Sequence, residues 1–397
     1  MKLYNQSYTH CHRRYKIHDK FYDLTEFVKI HPGGIDVFDH LKVDTNITPM
    51  IYAYHKNPKN ILAMLSKYEA HLPTNARTDY INIQYDTNYT YDNYCELKKL
   101  VYDEIHEKKI PLHWSNKEIA YNALMLCLHL GMWGYCFLNG NNLSYWWMIL
   151  MGVTTLGFSG VAFHETSHNC GFKNKKYNLL YSKYFPYVNI NYWKHNHNYL
   201  HHSFTDTMYD ADNFADRADI IRVFNDTKLK YAHRFQFVMM FLYFYLGGIL
   251  SKTHMYFSLK NSNILFVIIA IYYLGLTKVL CFYGFFGLTF GLISQSSHTH
   301  HECIQINTEN KNDFLYNQVS STMNYRTDDP VTRFLCFGSD IQIEHHLFPN
   351  IPHSSLRQIQ HVVREYCDKN NVPYIEKSSI FPTTYSYICY LYQMGKP

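Results

Sequence analysis

Three short histidine clusters carry the residue types best suited to chemistry: HETSH from 164, HNYLHH from 197 and QIEHH from 342. His164 and His168 are four apart, so on a helix they share one face. His197 and His201 repeat that spacing, with His202 turned to the neighbouring face, while Gln342 precedes His345 and His346 by three and four residues. His298, just past the last long apolar run, could reach the same place, with His301 as its competitor. Eight imidazoles and an amide exceed what one metal ion holds. Imidazole suits zinc, copper, iron and nickel alike, so the number of ligands argues for two ions, and two near-octahedral irons with open positions would use a set of this size. Such a pair collects two electrons, splits oxygen and attacks an unactivated C–H bond, which side chains alone cannot do.

HETSH also fits H-E-x-x-H, the zinc-protease helix in which Glu165 would be the general base. That reading leaves HNYLHH and QIEHH without work. With 25 His in 397 residues, single pairs arise readily. His113, His129, His233, His254 and His353 fall outside the pattern and read as ordinary structural or surface residues.

Positioning falls to apolar segments. Residues 119–138 and 144–163 carry no formally charged residue, and each is about the 20 residues that a helix needs to cross hydrocarbon. NGNNL joins them, and Lys173, Lys175 and Lys176 follow the second, which orients the chain after 163 toward the cytosol. Residues 235–250 read as a third, short span. The run 264–293 is interrupted only by Lys278. It would extend about 45 Å as one helix against about 30 Å of hydrocarbon, so it is either a long helix reaching into the cytosol or an interfacial helix followed by a crossing. Even numbers of crossings then put all three clusters on one membrane face.

Mean hydropathy of −0.30 averages polar and apolar blocks and so hides the spans. The 38 Tyr suit a chain with much surface at a lipid boundary. A net charge of +5 without a basic block argues against nucleic acid and for anionic headgroups. Ten single Cys with no C-x-x-C pair indicate neither a disulfide scaffold nor a zinc knuckle, and the first twenty residues lack a signal-peptide core. The chain divides into a polar unit at 1–72, a linker at 73–112, a membrane domain at 113–362 and a cytosolic C-terminal segment at 363–397.

FGSDIQIEHHLFPNIPH, WKHNHNYLHHSFTD and the following YDAD from 209 resemble the membrane fatty-acid desaturases of the front-end type. These insert a double bond between an existing one and the carboxyl end. The resemblance covers about 114–360 and implies a mostly α, multi-pass membrane helical di-iron desaturase fold. It also implies that His164, His168, His197, His201, His202, His298, His345 and His346 are the iron ligands, with Gln342 at or beside the metals. HETSH departs from the H-D-x-G-H common in that group and is similar to sphingolipid desaturases. FYDLTEFVKIHPGG resembles cytochrome b5, which implies an N-terminal α+β domain holding haem b between His31 and His55. Pro32, Gly33 and Gly34 would turn the backbone so that the His31 ring approaches a flat macrocycle. Filled axial positions would make that haem an electron carrier.

The implied reaction takes electrons from an NAD(P)H-dependent cytochrome b5 reductase through the haem to the iron pair. O2 is consumed and two hydrogens leave a fatty-acyl lipid or acyl-CoA. The expected location is the endoplasmic reticulum bilayer, with the haem domain and histidine boxes facing the cytosol. The rivals are a membrane di-iron lipid hydroxylase, a sphingolipid long-chain-base desaturase, and an electron-donor protein with a membrane anchor.

Overall fold

A computed structural model describes residues 13–38, 41, 43–70, 89–183, 185–207, 209–210, 220–223, 227–250, 264–300, 302 and 312–397. Two compact units divide the chain, Met1–Tyr91 and Asp92–Pro397. The segment at 73–88 expected to link domains, His254 and His301 lie outside the described residues.

In the first unit, strands β1 (Arg14–Ile17) and β2 (Lys20–Asp23) form an antiparallel hairpin. Tyr15 and Ile17 alternate inward, as a half-buried strand requires. Helices α1 (Thr25–Ile30), α2 (Thr48–Tyr54) and α3 (Pro58–Leu65) follow, the last two with Pro in the first turn, where a missing N–H costs nothing.

The second unit is mostly helical. It opens with α4 (Asp92–Glu107), inside the stretch expected to be linker. Tyr94, Leu97, Val101 and Ile105 recur at helical spacing and are buried, and that stripe docks the helix onto the unit. Next come α5 (Asn116–Asn139), started by a capping box of Ser115 with Glu118, and a continuous helix of α6 (Tyr145–Thr155), a π-helical turn (Leu156–Gly160) and α7 (Val161–Ser167). Helices α8 (Lys175–Lys183) and α9 (Ile190–Trp193) precede a second π-helical turn, Lys194–His201. Farther on are α10 (Gln236–Leu250), α11 (Ile264–Leu274) and α12 (Leu276–Ser296). The long apolar run is thus two helices, broken at Gly275, where φ is +81°. Two helices, Tyr145–Ser167 and Leu276–Ser296, are long and apolar enough to cross a membrane among the described residues.

Helices α10 and α12 cross closely because Gly248 and Gly287 face each other; a Cβ on either would collide with the other helix's backbone. Behind the site are α13 (Phe314–Ser320), α14 (Gln342–Leu347), α15 (His353–Lys369) and α16 (Ile380–Met394). The residues expected to form the cytosolic C-terminal segment lie in this unit. Helix α15 runs unbroken through 363, and Tyr387, Tyr390 and Leu391 of α16 join Met240 and Phe244 in one buried cluster.

Candidate metal centre

The three clusters come together as two buried groups. His164, His168, His197, His202 and His345 form one, His201, His298 and His346 the other, and within each group the ligand atoms lie within 4.8 Å of one another. Gln342 joins the second: its Nε2 is 3.0 Å from His298 Nε2 and 3.3 Å from His346 Nε2.

Local helix geometry decides the sorting. On α7 the four-residue spacing puts His164 and His168 in the same group, their ring centroids 5.0 Å apart. For the second cluster the α-helical expectation pairs His197 with His201, but the structure differs. Lys194–His201 is π-helical, and the wider turn brings residues five apart into line, so His197 and His202 share a group with their Nε2 atoms 3.3 Å apart. His201 is thereby sent to the second group. His345 and His346 are consecutive on α14, their ring planes at 90°, and each goes to a different group.

The second group is fixed from outside. His201 Nδ1 is 3.0 and 3.1 Å from the two carboxylate oxygens of Asp210, His298 Nδ1 is 3.2 Å from the Ser321 carbonyl, and His346 Nδ1 is 3.2 Å from Gln318 Oε1. An acceptor at Nδ1 keeps the proton there and leaves the Nε2 lone pair pointing inward, which is how outer groups prepare imidazole for a metal. Asn324 holds the third cluster: its Oδ1 accepts from the Ile343 N–H at 2.9 Å, and its Nδ2 donates to Glu344 at 2.8 Å. Tyr374 donates to the other Glu344 oxygen, and burial pushes that carboxyl up to about 7. The contacts of these outer residues have no spacing signal in the sequence, because they form across the fold; only Asp210, in YDAD, and Glu344, in QIEHH, lie in stretches singled out there.

Burial first, and then the facing imidazoles, hold His202, His345 and His346 well below the ordinary histidine range. They are therefore neutral, the form that ligates metal. Both ring nitrogens of His345, and Nδ1 of His164 and of His202, are buried with no hydrogen-bond partner among the described residues. Polar atoms left so are costly, and lone pairs collected around one point are satisfied together by a cation. The residues present fit two metal ions with nitrogen ligands.

Glu165 does not stand free as a base. Its Oε1 accepts from the His353 backbone N–H at 2.6 Å and from His353 Nδ1 at 2.8 Å, and its Oε2 accepts from Trp114 Nε1. The zinc-protease arrangement needs that carboxylate on a metal-bound water, so this pairing argues against it. His353, expected to be an ordinary structural or surface residue, is buried beside the first group.

In the first unit, the His31 and His55 ring centroids are 6.1 Å apart with planes at 75°. His31 Nδ1 is 3.4 Å from the Gly34 carbonyl and His55 Nδ1 is 3.0 Å from the Ile51 carbonyl. Gly34, at φ +96°, permits the turn. Metal–imidazole bonds of about 2 Å would let one iron sit between two rings so spaced.

A profile of the family described as fatty acid desaturase matches residues 141–378, a span holding all eight converging histidines and Gln342. The chain is similar over most of its length to the acyl-lipid (8-3)-desaturase B of Dictyostelium discoideum, at 21% identity over 95% of this chain and 90% of the relative. The probable Delta(5) fatty acid desaturase C of the same organism is 23% identical over 94% and 90%, and the Delta(6)-fatty-acid desaturase fat-3 of Caenorhabditis elegans 22% over 91% and 92%. No solved structure matches. With the family profile spanning well over half of the chain and every residue of both histidine groups, the chain belongs to the fatty acid desaturase family and is an oxidoreductase of the desaturase type.

Proposed function

We propose that this chain is a front-end desaturase that works at a di-iron centre in a membrane, with electrons supplied through a haem b in its N-terminal unit. The observation that carries the reading is the convergence of all three histidine clusters and His298 into two groups, with Gln342 in the second. When bound, the iron pair supplies the two-electron activation of O2 that removes two hydrogens from neighbouring methylenes. Asp210, Gln318 and the Ser321 carbonyl hold the protons of His201, His346 and His298 on Nδ1, away from the metal side. Burial of both groups keeps water from competing with substrate. Trp193 lies in the apolar cluster with Phe163 and Phe286, and its ring stacks on His197 at 4.2 Å. An acyl chain would approach the first group along that apolar cluster, and regiochemistry would come from depth along it.

His31 and His55 would fill both axial positions of the haem, so the unit would exchange electrons with a cytochrome b5 reductase and not bind oxygen. Leu124, Leu128, Val238, Leu242, Leu265 and Ile268 point outward from α5, α10 and α11, an apolar surface that supports a lipid surround; the proposal places the chain in the endoplasmic reticulum membrane as a multi-pass protein with the histidines facing the cytosol. The front-end assignment rests on Gln342 and on relatives whose names give 8-3, Delta(5) and Delta(6). Expression in a host lacking polyunsaturated lipids, fed defined unsaturated acyl chains, tests it. Mass spectrometry should find product two mass units lighter, with the new double bond on the carboxyl side of the existing one. Product sixteen units heavier would assign a hydroxylase instead.

A further inference from the structure

All three imidazoles of the second group are steadied by an acceptor on Nδ1, but His345, in the first group, has none: both its ring nitrogens are without a hydrogen-bond partner among the described residues. Its ring still has to be aimed. Among the described residues, the His345 ring meets those of His164, His168, His197, His202, His346 and His353, and His353 alone among these belongs to neither metal group. That contact is an offset stack with centroids 5.2 Å apart and planes at 18°. His353 also lies 5.4 Å from the His164 ring.

His353 is itself held on two sides. Glu165 accepts from both its backbone N–H and its Nδ1, and Trp114 holds the other carboxylate oxygen. The opposite side is Gly338, at φ +92°, where a Cβ would collide with the imidazole. A ring with anchor, floor and stacking partner all defined is rigid, although it lies outside the 4.8 Å grouping of ligand atoms.

We propose that Glu165 and His353 form a positioning clamp for the first metal position, in which the His353 ring sets the plane of His345 by stacking and Glu165 sets the plane of His353. This rests on the metal-centre reading above. Glu165, the residue that makes HETSH look like a protease motif, is thereby assigned the work of an outer-sphere anchor. Losing an outer-sphere orienting group lowers metal affinity about 10–100-fold.

The test compares His353→Ala with His353→Phe in the full chain purified in detergent, measuring iron content and the rate of iron loss to a ferrous chelator. Phe keeps a flat ring for His345 but has no nitrogen. The clamp predicts that His353→Ala loses one of its two irons at least tenfold faster than the parent, and that His353→Phe, which keeps the stack but not the Nδ1 bond to Glu165, loses it more slowly than His353→Ala yet faster than the parent. Losses as large in His353→Phe as in His353→Ala would overturn stacking, parent-like retention in His353→Phe alone would overturn the Glu165 anchor, and parent-like retention in both would overturn any role. Size-exclusion profiles check folding, and Gly338→Ala, which displaces the same ring from the other side, should reproduce the His353→Ala loss. A parent chain without two non-haem irons would instead refute the metal-centre reading on which the clamp rests.

Discussion

Replacing Asp210 probes how the second metal position is prepared. Its carboxylate lies 3.0 Å from His201 Nδ1 through Oδ1 and 3.1 Å through Oδ2, and the two side chains are 1% and 3% exposed. The Asp206 backbone N–H also donates to it, at 2.9 Å, so the carboxylate stays oriented when the imidazole moves. A buried hydrogen bond to a charged group contributes about 1.5–3 kcal/mol, and a neutral one about 0.5–1.5. Asp210→Asn keeps shape and acceptor but removes the charge, a loss of about 1.4 kcal/mol, or about tenfold in affinity of the second iron. Asp210→Ala removes the acceptor as well and should approach 100-fold. Competition of the purified full chain against a graded series of ferrous chelators measures both, and the iron proposed for the first group is the internal control. Parent-like affinity in Asp210→Ala, or equal weakening of both irons, would refute the argument that the carboxylate acts through His201.

His345→Ala or Gln342→Ala should abolish unsaturated product while leaving intact the haem absorption that the proposal assigns to the N-terminal unit, as read by product analysis and the visible spectrum together. His31→Ala and His55→Ala should each remove that absorption but leave non-haem iron in place. Gly287→Leu should force α10 and α12 apart where a Cβ already collides with Gly248. The expected cost of such overpacking is about 1–3 kcal/mol, seen as a lower unfolding temperature in detergent.

The convergence of the histidines was partly legible in the sequence because residues four apart on a helix share a face. H-x-x-x-H on a helix gave His164 and His168 a common face, and Gln342 with His346 follows the same four-residue rule. The pairing within HNYLHH was not legible, since an α-helical period assigns His201 to His197 and only the π-helical turn assigns His202. Nothing in the sequence linked Glu165 to His353, 188 positions apart, so the carboxylate of HETSH offered only a protease-base reading that the other two clusters argued against, and His353 read as background. The docking of α4 and α16 was not legible either, because their buried residues acquire meaning only against the helices they cover.

The most direct test is a metal count made alongside product analysis on one preparation of the full chain. The reading predicts two non-haem irons per chain, O2-dependent formation of product two mass units lighter, and loss of both product and bound iron in His345→Ala and His346→Ala. A single metal, zinc in place of iron, or a fully active His345→Ala variant would contradict it.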